Sequence, residues 1–118
     1  QMARADGGVT VRMPDVSGLD DDQAQALLTD LAKVNVITSN CPAYQISNGE
    51  WTLITATGDV LAARLGLDAR SYDQKYYGPA FKLLEDPGAC DRIGPTAKPL
   101  IRRLIQMGGG TTPLTQSQ

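Results

Sequence analysis

The sequence predicts an all-α domain: a small orthogonal or up-down bundle of about four helices, with one disulfide and extended termini. Three observations carry that expectation. Apolar residues recur at three- and four-residue spacing in separate stretches, the period of a helix with one buried face. Two of those stretches open on a capping-box spacing. The 118 residues include two cysteines and no histidine.

A chain of this length fits one domain around one core. Hydrophobic residues make up 42% of it and aromatic residues 5%. The core is therefore expected to be aliphatic, with Trp51, Phe81 and the four tyrosines as its few large pieces. The organisation reads as an extended arm over 1–16, a helical domain over 17–107 and a flexible polar tail over 108–118.

In the arm, Val9-Thr10-Val11-Arg12-Met13 alternates as a short edge strand does, but Gly7-Gly8 and Pro14 favour simple extension. Ala3-Arg4-Ala5 matches the small-x-small pattern of a signal-peptidase site, which three residues often match by chance. The first helix starts after Ser17-Gly18-Leu19, where Asp20 and Gln23 have capping-box spacing. Leu27, Leu28, Leu31 and Val34 form its stripe, and the helix is expected to run to about Thr38. Ser47 and Glu50 repeat the capping spacing just before Trp51. Trp51, Ile54, Leu61 and Leu65 mark the inner face of this second helix, Gly58 suggests a close crossing, and Gly66 stops it.

A third helical segment runs from about Ser71 to Glu85 and is split by Gly78-Pro79 into two short helices or one kinked helix, because proline removes a helical hydrogen bond and clashes with the preceding turn. Phe81, Leu83 and Leu84 are expected to face inward, and Asp86-Pro87-Gly88 to form a turn. The last helix begins near Thr96 with Pro99 in its first turn. Leu100, Ile101, Leu104 and Ile105 form its apolar stripe, Arg102 and Arg103 point outward, and Gly108-Gly109-Gly110 ends it.

The cysteines lie about fifty positions apart. Without histidine, a zinc site would need two carboxylate ligands and a Cys-His nucleophile is impossible. Neither cysteine belongs to a Cys-x-x-Cys motif. Two inert thiols or one structural bridge remain. Cys41 follows Ser39-Asn40 and precedes Pro42, and Cys90 follows Asp86-Pro87-Gly88-Ala89. Both read as helix–loop junctions, where two chains can approach without distorting a helix, so a Cys41–Cys90 disulfide is expected. A periplasmic or secreted location follows from that bridge.

A compact acidic helical domain with one disulfide spanning some fifty residues resembles the small periplasmic acid-stress chaperones of bacteria. The resemblance covers Cys41 to Cys90 and lies in cysteine spacing and helical content. No residue motif around either cysteine matches, and this chain extends further at both ends, so no functional residue carries over. Fold likeness of this kind is a poor guide to function.

The formal net charge of −2 argues against nucleic-acid binding. No stretch approaches the length of a membrane span, no cofactor is expected, and a protein partner is. Acids cluster toward the N-terminus (Asp15, Asp20, Asp21, Asp22) and bases toward the C-terminus (Arg92, Lys98, Arg102, Arg103). Either these charges complement helix dipoles, which accounts for the pattern, or the basic end, with Arg102 and Arg103, is a partner-docking face. The Asp20-Asp21-Asp22 run lacks the alternating ligands, glycine and closing glutamate of an EF-hand. Tyr72-Asp73-Gln74-Lys75-Tyr76-Tyr77-Gly78-Pro79-Ala80-Phe81 is the most distinctive segment. Tyrosines there either complete a sparse core or present a recognition surface.

The candidate partner or ligand surface is therefore Trp51, Tyr72, Tyr76, Tyr77, Phe81, Arg102 and Arg103. No catalytic residue is assigned. The leading expectation is a non-enzymatic periplasmic or secreted interaction protein, such as an accessory subunit, inhibitor or chaperone. The alternatives are a small carboxylate-based hydrolase acting on an envelope polymer, with Glu50, Asp59 and Asp73 as candidates, or a small-ligand carrier with an apolar pocket near Trp51 and the tyrosines.

Overall fold

Asp20 and Ser47 begin the two long helices, each through a reciprocal capping box. The Asp20 carboxylate accepts from the Gln23 N–H at 2.8 Å while the Gln23 side chain accepts from the Asp20 N–H at 2.9 Å. Ser47 and Glu50 repeat the arrangement at 3.1 and 2.9 Å. Each box satisfies two backbone donors that a helix start otherwise leaves open.

A computed structural model describes residues 2–4 and 9–114, the first three through their backbone only. Two short strands, β1 (Met2–Arg4) and β2 (Thr10–Arg12), precede six helices. These are α1 (Asp21–Asn40), α2 (Asn48–Arg64), α3 (Ala69–Tyr72), α4 (Gly78–Lys82), α5 (Ala89–Ile93) and α6 (Ala97–Gln106). A π-helical turn (Asp73–Tyr77) joins α3 to α4, and single 3-10 turns follow α1, α4 and α5. The domain is an all-α bundle carrying one small hairpin.

α1 is the central helix. Leu27, Leu28, Leu31 and Val34 meet Leu53, Ile54 and Leu61 of α2 and Leu100, Ile101 and Leu104 of α6 in the main core. Ala32 and Val36 turn toward Ala80 of α4, while Ile37 and Cys41 turn toward Ala89 of α5. The C-terminal half of α1 thus buries three sides, which is why its apolar residues exceed a single stripe. The core is aliphatic, as composition indicated; all four tyrosines and Trp51 lie at its edge, partly exposed.

The stretch read as an extended arm contains β2, which pairs antiparallel with β1 (Ala3 opposite Val11). Val11 is fully buried in the main core. The far side of β2 is also used. Gly110 donates its N–H to the Arg12 carbonyl, Leu114 to that of Thr10, and Asp15 to that of Met107. Met107 and residues 108–114 of the expected flexible tail are therefore laid along residues 10–15. Alternation in Val9 to Met13 signalled the strand, but no local pattern signals a partner a hundred residues away. Gly7-Gly8 and residues 115–118 lie outside the described residues.

Gly108, at φ +104°, lets the chain reverse out of α6: Gly109 donates to the Leu104 carbonyl and Gly108 to that of Ile105. This is the paired closure of a Schellman stop, and Gly66 repeats it at the end of α2.

At Gly78-Pro79 the chain takes the continuous alternative: α3, the π turn and α4 follow one another without a break. The turn before Pro79 widens, with Gly78 donating to the Asp73 carbonyl five residues back. One extra residue in that turn rotates everything beyond it by about 100° around the axis. Ala80 takes the inward position, Leu83 is half-buried, and Phe81 and Leu84 are 52% and 40% exposed. That corrects the expectation that Phe81 and Leu84 face the core. Ile105 is also displaced from its expected stripe and is 44% exposed, because α6 seats through Ala97, Leu100, Ile101 and Leu104. The third segment also starts earlier than expected, at Ala69, since Asp68 caps the Ser71 N–H at 2.8 Å.

Cys41 and Cys90 are disulfide-bonded, with Cα atoms 5.8 Å apart. Cys41 occupies the cap position that closes α1. Cys90 lies inside α5 rather than in a loop. That five-residue helix is too short to leave a periodic trace in sequence. Tyr44 covers the bridge region, donating to Asp91 at 2.8 Å. Its ring packs so closely on Gly94 that no side chain fits there.

Candidate binding surface

Asn35, midway along α1, organises the aromatic edge of the bundle. Its Nδ2 donates to the Tyr77 hydroxyl at 2.9 Å, and its Oδ1 accepts from Trp51 Nε1 at 3.1 Å. One amide therefore links α1, α2 and the π turn. Tyr72 continues the chain of rings: it lies 6.1 Å from Tyr76 and 5.2 Å from Tyr77 between centroids, edge-on to both. Such tilted contacts suit the ring quadrupoles. Its hydroxyl sits over Gly58 of α2, where a Cβ would come within 2.5 Å of it. Gly58 makes room chiefly for that hydroxyl, with Leu28 of α1 in ordinary contact, 3.6 Å from the same Cβ position. Burial, with Tyr77 beside it, pushes the Tyr72 hydroxyl far above the ordinary phenol range, so it stays protonated.

Tyr77 and Phe81 continue outward with centroids 6.3 Å apart. Phe81 on α4 and Leu84 in the 3-10 turn that follows it then stand exposed. Of the sequence-derived surface, Trp51, Tyr72, Tyr76, Tyr77 and Phe81 form one connected edge. Arg102 and Arg103 do not join it. Both are exposed on α6, and Arg103 shares a groove with Lys33 of α1. Lys33 and Asn35 are about 200° apart around α1, so the basic and aromatic regions occupy opposite faces of that helix. Asn35 itself left no signal in sequence, since a lone polar residue in a helix usually faces solvent.

Two of the three carboxylate candidates lie well apart. Glu50 and Asp59 lie nine positions apart on one helix, about 13 Å along its axis, beyond the separation used by paired glycosidase carboxylates. Burial alone would raise the Glu50 carboxyl. Hydrogen bonds from Lys98 (2.6 Å) and the Ser47 N–H outweigh that and hold it below the usual range. Asp59 and Asp73 are both exposed. A depressed, ion-paired glutamate is poorly suited to donating a proton. Among the described residues, no three or more of Cys, Asp and Glu cluster closely enough to hold a metal ion, and no helix is long and apolar enough to cross a membrane.

Trp51 does border a groove, of 420 Å³, shared with Thr38, Ser39, Gln45, Ile46 and Asn48. Its walls are mixed and mainly polar, and no tyrosine lines it. The expected combination of an apolar pocket with Trp51 and the tyrosines is therefore divided between two places. A more apolar groove, of 390 Å³, lies between α1 and α6.

No known family matches this chain, nor does any curated protein or solved structure.

Proposed function

We propose that this domain is a non-catalytic interaction module of an oxidising compartment, periplasmic or extracellular, that holds a protein partner on the outer edge of α4. The exposed pair Phe81 and Leu84 carries the reading. They are three positions apart across the end of α4 and the 3-10 turn that continues it, which puts them on one side, and they extend a run of tyrosines already fixed by Asn35. Large apolar groups on a prepositioned aromatic support are the usual anchors of protein interfaces, because little side-chain freedom remains to be lost on binding. Lys82 and Glu85 beside them supply a polar rim. The Cys41–Cys90 bridge supports the compartment, since such bonds persist where thiols are not kept reduced.

The test is affinity capture from the native envelope or secreted fraction with wild type and with Phe81→Asp and Leu84→Asp. Both residues are exposed, so both variants should keep wild-type helicity and the bridge. The proposal expects a partner held by wild type and released by each variant. A partner held equally by all three, or the free monomer in every capture, would overturn it.

A further inference from the structure

We propose that the groove between α1 and α6 is a binding site for a single-chain anionic amphiphile, an alkyl carboxylate. This site is separate from the α4 edge and does not depend on it. The floor is apolar: Val34 from α1, Ile93 from α5, and Pro99 and Leu100 from α6. Two cations stand on its rim, the half-buried Lys33 and the exposed Arg103. Neither makes an ion pair or side-chain hydrogen bond among the described residues; the ion pairs there are Arg92–Asp86 and Lys98–Glu50.

An apolar trough beside uncompensated cations matches a ligand with an alkyl body and an anionic head. Arg103 offers a planar fork of donors to a carboxylate, and Lys33 a point charge from the opposite wall. Asp30 shares the rim without pairing to either cation, leaving a net charge of one positive. A cationic head is therefore disfavoured, and Asp30 weakens anion binding rather than providing it. The volume, 390 Å³, lies at the small end of the ~300–1,000 Å³ usual for ligand sites, which suits one chain and not a two-chain lipid.

The experiment is titration of the whole, bridged protein with decanoate below its micelle concentration, followed by calorimetry and backbone amide NMR. Decanol, decyltrimethylammonium, acetate and anionic phospholipid vesicles are the comparison probes. The proposal expects one decanoate per protein, with shifts centred on Val34, Ile93, Leu100 and Arg103. Lys33→Met and Arg103→Met should each weaken binding about tenfold, and Asp30→Asn should tighten it. Pro99→Asp, which adds a carboxylate at an exposed position of the floor, should abolish it with helicity unchanged. Saturating decanoate without shifts at these residues would overturn the proposal. So would equal binding of decanol, acetate or the cationic probe, or charge variants that bind like wild type. Binding to vesicles without binding of decanoate would assign the basic rim to a bilayer surface and overturn it equally.

Discussion

Trp51 donates its indole N–H to Asn35, and the same amide holds the Tyr77 hydroxyl, so a residue of α2 and a residue of the π turn are fixed to one point on α1. Asn35→Leu removes the shared partner and leaves the Trp51 donor and the Tyr77 acceptor unmatched at a part-buried site. Loss of the two bonds is expected to cost about 2 kcal/mol. Urea unfolding measures the loss, and Trp51 emission should shift in the folded variant because its indole loses a fixed polar neighbour. An unchanged midpoint would mean that water replaces the amide without cost.

Gly49 sits in the first turn of α2 directly under the Thr111 carbonyl, so an added Cβ would collide with backbone rather than with a flexible side chain. Gly49→Ala should push residues 110–114 off β2 and destabilise the fold by about 1–3 kcal/mol. Amide exchange at Gly110 and Leu114, whose N–H groups bond Arg12 and Thr10, should accelerate more than exchange in α1.

Thr52 and Thr57 are buried on α2 with hydroxyls that find no hydrogen-bond partner. Valine has nearly the same shape and no such group. Thr57→Val is therefore expected to stabilise the protein, by about 1 kcal/mol. A raised thermal midpoint checks it; a lowered one would show that the hydroxyl is satisfied in solution.

Acid should destabilise the protein where neutral pH does not. Hydrogen bonds from Ser17, the Ser71 N–H and Arg92 hold Asp15, Asp68 and Asp86 below the usual carboxylate range, and Glu50 is depressed by Lys98 and Ser47 against the pull of burial. A lowered folded-state pKa gives stability that is present above the unfolded value and lost as pH falls through the folded one. Tyr44, donating to Asp91, and Tyr72, through burial, are shifted upward, so their contributions hold below the ordinary phenol value and disappear as pH rises past it. With no histidine in the chain, stability should be flat between about pH 5 and 9. Lys98→Met should move the acid limb of a circular-dichroism titration to higher pH.

The bridge closes a long loop containing α2, α3 and α4. Cys41→Ser with Cys90→Ser should cost about 4 kcal/mol in the chain-entropy description. Unfolded, unreduced protein should show no reactive thiol, and two thiols would contradict the bridge.

The sequence by itself determined what depends on neighbours within one helical turn, or on the presence of a residue type. Asp20 with Gln23 and Ser47 with Glu50 set both long helix starts, because capping is a local exchange of hydrogen bonds. Gly66 and Gly108 set the stops, and two cysteines without histidine left few roles beyond a bridge. Only the tertiary structure decided which residues meet. The π turn before Pro79 rotated Phe81 and Leu84 out of the core, a phase change invisible to helical spacing. The return of residues 110–114 along β2 tied down the segment that composition reads as loose. Asn35 acquired its partners Trp51 and Tyr77, and Arg103 its place on one groove with Lys33, from how the helices pack rather than from any local pattern.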